Sequence, residues 1–252
     1  MISHKPRKRF GQNFLVDNQI VNRIIATISP KKSDNVVEIG PGMGALTFPL
    51  LEHLDHLSVI EIDRDLISLL KLNKQDKLTI YEADALKFDY GQISNNLRIV
   101  GNLPYNISSP LLFHLLSSKN QIIDMTFMLQ KEVADRIIAN HGNKTYGRLS
   151  VMMQTFFEVE LMFTVPKESF NPKPKIESSI IYLKTRAKPL TENTKLLEKI
   201  VKVSFSQRRK TLKNCLKSIL SQEQTEIDLS RRAEMLSIEN FITLMKDYEK
   251  QN

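Results

Sequence analysis

Gly101-Asn102-Leu103-Pro104-Tyr105 is the stretch of this chain whose residue types could act on a small planar substrate. An exocyclic amine on an aromatic base is a poor nucleophile, because its lone pair is delocalised into the ring. The Asn102 amide oxygen and the Leu103 backbone carbonyl can accept its two N–H groups. That draws the nitrogen toward tetrahedral geometry and aims its lone pair at an electrophilic carbon. Pro104 fixes the turn so that the Leu103 carbonyl points inward, and Tyr105 offers a face on which a flipped-out base can stack. A second aromatic, Phe170, lies in Ser169-Phe170-Asn171-Pro172-Lys173-Pro174-Lys175 and would close the opposite side of the base. Two prolines stiffen that loop, and Lys173 and Lys175 are candidate phosphate contacts. Plain core packing is the competing reading for both aromatics.

A second set of residues points to a bound nucleoside-like group. The turn Gly40-Pro41-Gly42-Met43-Gly44 follows the β-branched run Asn35–Ile39 and precedes an apolar-periodic segment. Strand, glycine turn and helix in that order bring backbone close to a cofactor. The spacing is G-x-G-x-G rather than G-x-G-x-x-G, with Glu38 inside the strand. This suits the amino-acid and ribose portion of S-adenosylmethionine better than a pyrophosphate, although an NAD-type binder is the alternative. Glu61, 21 positions beyond Gly40, can accept hydrogen bonds from both ribose hydroxyls. Asp84 can accept one from an adenine amine, and Ile62 and Ala85 flank these two acids at the same site. Each signal alone is weak; three in succession, each after another strand, are specific. Methyl transfer from a sulfonium is mainly a matter of positioning, so no strong general base is required.

The elements that must hold these residues can be read from hydrophobic periodicity. Strands are expected at 35–39, 57–62, 78–81, 98–100, 125–129, 159–165 and 179–183. Helices are expected at 17–28, 45–54, 65–72, 131–139 and 149–156. Alternation of the two gives an α/β, Rossmann-like fold with a mostly parallel sheet covered on both faces. Beyond Arg186-Ala187-Lys188-Pro189 only helices are expected, at 194–204, 208–220, 230–236 and 237–248. The expected domains are therefore 1–186, with a basic N-terminal arm over 1–16, and 187–252, a small all-helical unit.

The chain has 252 residues, a formal charge of +8, 41% hydrophobic residues and one cysteine. With Cys215 alone, no intrachain disulfide or Cys-based zinc site can form, and the five histidines lack metal spacing, so no metal is expected. No apolar stretch is long enough to span a bilayer and the basic N-terminus lacks a signal-type apolar core. A cytoplasmic protein is expected, with no membrane partner. Residues 1–34 carry a net +5 and residues 187–252 a net +4, whereas the middle is nearly neutral. Arg7, Lys8 and Arg9 at one end and Arg208, Arg209 and Lys210 at the other are candidate RNA contacts. A solvated Lys/Arg-rich surface is the competing reading.

Taken together, the motifs resemble those of the KsgA/Dim1/Erm family of ribosomal RNA adenine-N6 methyltransferases. The resemblance runs from Phe10-Gly11-Gln12-Asn13-Phe14-Leu15 through Val37–Gly42, Val59–Asp63, Val100–Ser108, Met128–Val133 and Tyr146–Ser150 to the Phe170 loop. Phe205–Asn214 is most similar to the C-terminal domain of the bacterial housekeeping KsgA (RsmA) branch, which resistance-type Erm proteins usually lack. The resemblance implies a class I S-adenosylmethionine-dependent methyltransferase fold with a seven-stranded sheet. It implies dimethylation of two adjacent adenosines near the 3′ end of 16S rRNA, on an immature small subunit, by a monomer. It assigns Asn13, Leu15, Gly40, Glu61, Asp84 and Asn102 to the cofactor, and Asn102, Leu103, Tyr105 and Phe170 to the target base. Two other readings stand beside it: an Erm-like enzyme of the large subunit, and a non-catalytic ribosome-assembly factor.

Overall fold

The computed structural model describes residues 13–73 and 76–251. The chain divides into two compact units: residues 13–134 with 160–185, and residues 135–159 with 186–251. The sequence suggested a single boundary near 187; the second unit also takes in the segment 135–159.

The first unit is built on a sheet. Its strands are β1 (Phe14–Leu15), β2 (Asn35–Ile39), β3 (Leu57–Glu61), β4 (Leu78–Glu82), β5 (Leu97–Asn102), β6 (Ile122–Gln130), β7 (Phe157–Val165, whose first three residues fall in the second unit), β8 (Phe170–Asn171) and β9 (Ser178–Thr185). Seven of them form one sheet in the order β4-β3-β2-β5-β6-β9-β7. From β4 to β6 all pairings are parallel, and β9 runs antiparallel to β6. β2 and β3 are almost entirely buried, as strands covered on both faces must be, which is why they read as continuous apolar runs. The strand order reverses at β2, where the chain leaves β3 and β4 on one side and β5 on the other. In open α/β sheets, ligands gather at the carboxyl ends beside such a reversal.

Helices α1 (Asn18–Ile28), α2 (Thr47–His53), α3 (Arg64–Leu72) and α4 (Ser108–Ser117) connect these strands. Asp17 caps α1 by accepting the Gln19 and Ile20 N–H groups at 3.0 and 3.3 Å. Val21, Ile24, Ile25 and Ile28 form its buried stripe, and Ser29, in the left-handed region at φ 46°, ends it. Residues 108–117 carried no helical expectation, and Pro110 gives a local signal against one. Pro110 falls in the first turn of α4, where its missing N–H would have had no helical partner.

β1 and β8 form a separate antiparallel pair with Leu15 opposite Phe170. At the other end of the same unit, Arg98 on β5 is clamped by Asp34 at 2.7 Å and by Asp124 at 3.0 Å. Its guanidinium also donates to the Ile28 carbonyl at 2.7 Å. The pairings tie the start of β2 and the tail of α1 to β5 and β6.

The second unit contains α6 (Arg148–Phe156), α7 (Thr194–Ser204), α8 (Leu212–Leu216) and α9 (Ile238–Glu249), while α5 (Lys131–Ile138) runs across the division between units. Asn193 and Ser237 cap α7 and α9. Tyr146, Phe205 and Phe241 form an aromatic row with centroid separations of 6.1 and 5.5 Å. The expected helix over 208–220 is shorter: α8 begins only at Leu212. Leu212 and Lys213 donate their N–H groups to the Arg231 and Leu229 carbonyls, both at 2.8 Å, so tertiary bonds replace the helical ladder. The expected helix over 230–236 is likewise a single tight turn at Ala233–Met235.

Candidate functional site

A cavity of about 300 Å³ opens at the carboxyl ends of β2, β3, β4 and β5. Gly40 donates its N–H to the Ile60 carbonyl at 2.9 Å, and Ala83 donates to the Glu61 carbonyl at 3.0 Å, which draws these strand ends together. The lining includes Asn13, Leu15, Gly40, Gly42, Glu61, Ile62, Asp84, Ala85, Asn102, Leu103, Pro104 and Tyr105. Thus twelve of the thirteen residues expected at the catalytic and cofactor sites meet around one cavity. Phe170 does not.

The glycine turn forms one wall. Gly40 has φ 65°, and a β-carbon there would meet nothing within 4 Å, so a side chain would project into open space where a ligand must approach. A β-carbon at Gly101 would stand 2.6 Å from the Ile39 carbonyl oxygen; the absence of one lets β5 close onto β2. Phe14 also lines the cavity, its ring 3.2 Å from where a β-carbon on Gly42 would sit.

Two acids stand inside this wall. Glu61 Oε1 accepts the Ile62 and Asp63 N–H groups, each at 2.8 Å, which fixes the carboxylate across the end of β3. Burial nevertheless lifts its pKa above the ordinary value, with the backbone bonds opposing. Glu38 is fully enclosed, and burial lifts its carboxyl to about 7. The Thr47 hydroxyl donates to Glu38 Oε2 at 2.6 Å, tying the glycine turn to the first residue of α2. From the sequence, Glu38 was read with the glycine turn as part of the combination that suits S-adenosylmethionine, with no partner of its own. Its depth and its Thr47 partner depend on long-range packing, and no local signal in the sequence announced them.

Asp84 accepts the Leu86 N–H at 3.0 Å, closing a turn after β4. Behind this turn the buried Tyr90 hydroxyl donates to the Ala85 carbonyl at 3.0 Å, and His114 of α4 bonds the Phe88 carbonyl at 2.8 Å. Neither Tyr90 nor His114 had been singled out, since each acts through a backbone carbonyl rather than through a motif.

The opposite wall is the turn after β5. Asn102 Nδ2 donates to the Asn13 carbonyl at 3.1 Å. A carbonyl can only accept, so this bond fixes the amide's orientation and leaves Oδ1 as its acceptor. Leu103 is buried and donates its N–H to the Met128 carbonyl at 3.1 Å, while the Pro104 carbonyl accepts the Ile107 N–H at 3.1 Å. Tyr105 is half-buried in the lining, and burial raises its pKa.

Phe170 was expected to close the far side of a base. It is 4% exposed and packs with Leu15 and Val165 in the hydrophobic cluster of this unit, outside the cavity lining. The pairing of β8 with β1 turns it onto the core, which leaves Tyr105 as the aromatic of the turn wall. In the same loop, Lys173 is exposed and pairs with Glu168 at 2.6 Å, and Lys175 is exposed. A surface pair of this kind holds its lysine only weakly. Arg7, Lys8 and Arg9 lie outside the described residues. Arg208, Arg209 and Lys210 are exposed in the turn ahead of α8 rather than at a helix start, and Arg208 donates to the Lys144 carbonyl. No helix among the described residues is long and apolar enough to cross a membrane.

Sheet order, glycine turn and cavity define an α/β domain of the class I methyltransferase type. Across its length the chain superposes on a dimethyladenosine transferase of Plasmodium falciparum with a TM-score of 0.81 and 29% identity, covering 94% of this chain and 98% of that one. It superposes on the 23S rRNA methyltransferase ErmE with a TM-score of 0.73 and 26% identity, covering 94% and 100%. A "Ribosomal RNA small subunit methyltransferase A" of Saccharophagus degradans is 52% identical, with 97% of this chain and 95% of that protein aligned. The family model for ribosomal RNA adenine dimethylase matches residues 3–250, and the chain belongs to that family.

Proposed function

We propose that this chain transfers methyl groups from S-adenosylmethionine to N6 of two adjacent adenosines near the 3′ end of 16S rRNA. The product is N6,N6-dimethyladenosine, formed in the cytoplasm on the immature small subunit during its biogenesis. The observation that carries the proposal is the pinned Asn102 amide, which lines the same cavity as the glycine turn, Glu61 and Asp84.

The lining suits a methionine-linked adenosine. Gly40 opens the space a β-carbon would fill, Gly42 and Leu15 continue that wall, and Glu61 stands where ribose hydroxyls would donate. Ile62 is 49% exposed and presents apolar surface for an adenine face, and Asp84 with Ala85 would receive the adenine edge. Asn13 supports the site through the carbonyl that holds Asn102. The cofactor, when bound, supplies an electrophilic methyl. On the other side, Asn102 Oδ1 and the Leu103 carbonyl accept the two N–H groups of the target amine. Pro104 holds the turn, and the Tyr105 ring stacks on the base once it has left its helix. The acceptors are preorganised, so the rate gain comes from alignment rather than from proton abstraction.

Basic residues would hold the RNA. Arg208, Arg209 and Lys210, with the 187–252 segment around them, are assigned to the rRNA of the small subunit, together with Lys173, Lys175 and the N-terminal Arg7, Lys8 and Arg9. The identity of 52% to a small-subunit methyltransferase favours that target over the large subunit. Mass-spectrometric mapping of methylated adenosines in rRNA, from cells with and without this gene, tests the reading. Two adjacent dimethyladenosines near the 16S 3′ end should disappear with the gene; unchanged modification there refutes it.

A further inference from the structure

The loop that carries Phe170 ends at Ser178, the first residue of β9, which is 1% exposed and pairs with Gln130 of β6. Its hydroxyl lies 3.3 Å from the Tyr105 hydroxyl. Ser178 does not line the cavity, whereas Tyr105 does. The backbone of the Tyr105 turn is held from α4, where the Ser108 hydroxyl donates to the Tyr105 carbonyl at 3.3 Å. Backbone bonds leave χ1 and χ2 of a half-buried tyrosine a choice of rotamers. The contact with Ser178 restrains the tip of the ring, and it comes from a strand that the sheet itself keeps rigid.

We infer that Ser178 is a positioning residue, which acts through the Tyr105 hydroxyl to hold the ring at the angle that receives the target base. The inference rests on the functional reading above, in which Tyr105 is the stacking face. It gives the tyrosine hydroxyl a task that stacking alone does not require, since a phenylalanine ring would stack equally well. It also gives the buried serine hydroxyl at the start of β9 a partner. The separation is longer than the usual range for two hydroxyls, so the expected effect is at most that of one neutral hydrogen bond.

The test is a double-mutant cycle with the full chain, S-adenosylmethionine and undermethylated small subunits. Ser178→Ala and Tyr105→Phe should each slow single-turnover methyl transfer by about three- to tenfold, with cofactor affinity unchanged. The double variant should be no slower than the slower single one, because both substitutions remove the same contact. Ser178→Thr, which restores the hydroxyl, should recover most of the rate. A Ser178→Ala variant as fast as the unsubstituted chain, or losses that multiply in the double variant, would overturn the inference. Tyr105→Phe is nearly isosteric and removes the same contact without touching β9, so a Tyr105→Phe variant as fast as the unsubstituted chain overturns the inference even where a Ser178 variant folds poorly. Failure of the unsubstituted chain to methylate adenine N6 would instead refute the functional reading.

Discussion

At the scale of single residues, the sequence pointed to the cavity wherever it carries an unusual residue type. Glycines at a strand end, acids after successive strands and an Asn-Leu-Pro-Tyr turn are poorly explained as packing, and all of them meet at the cavity. Phe170 shows the limit. An aromatic side chain serves a core and a binding site equally well, and its type does not say which way a loop will turn it. Glu38 shows the reverse case, an acid whose role only burial reveals. The unfolded chain loses this proton near the ordinary value of 4.5, the folded chain near 7. The stability linked to it is therefore complete below 4.5 and is lost as pH rises through about 7, on the order of 3 kcal/mol in all. Glu38→Gln keeps an acceptor for Thr47 and carries no titrating proton. Thermal melts from about pH 5 to pH 8 should show the unsubstituted chain losing stability relative to the variant as pH rises. Parallel curves would mean that the carboxyl is already ionised at low pH.

At the scale of elements, the strands that carry the site were readable because buried parallel strands are short, β-branched and followed by turn residues. The missed elements have local signals that mislead. Pro110 disguises α4 as a loop, and two-residue strands such as β1 and β8 lie below any periodicity. In the C-terminal segment, apolar residues at helical spacing predicted more helix than forms, because the N–H groups at the start of α8 are claimed by carbonyls near residue 230. The fit between β2 and β5 depends on Gly101. In Gly101→Ala, the added methyl would stand 2.6 Å from the Ile39 carbonyl oxygen, so the strands must part at the edge of the cavity. Overpacking of this kind costs about 1–3 kcal/mol. Calorimetry should find a lower melting temperature, and cofactor titration should find weaker binding. A variant as stable and as tight-binding as the original would show that the strand ends have slack.

At the scale of the whole molecule, the distribution of charge and the family motifs were visible in the sequence, but the membership of residues 135–159 in the second compact unit was not. That segment begins and ends within elements that look continuous, and only long-range contacts such as Gly142 N–H to the Glu234 carbonyl, at 2.7 Å, reveal where it packs. In the proposed reading the basic ends would hold phosphate irrespective of what the cavity does, so binding and turnover should separate. Asn102→Ala separates them most directly, and the measurement is single-turnover methyl transfer to undermethylated small subunits, with subunit affinity determined in parallel. Removing the pinned acceptor should slow transfer by about 100-fold while leaving subunit affinity within about threefold. Transfer at the unsubstituted rate would contradict the account, because the acceptor that aligns the amine would then be dispensable.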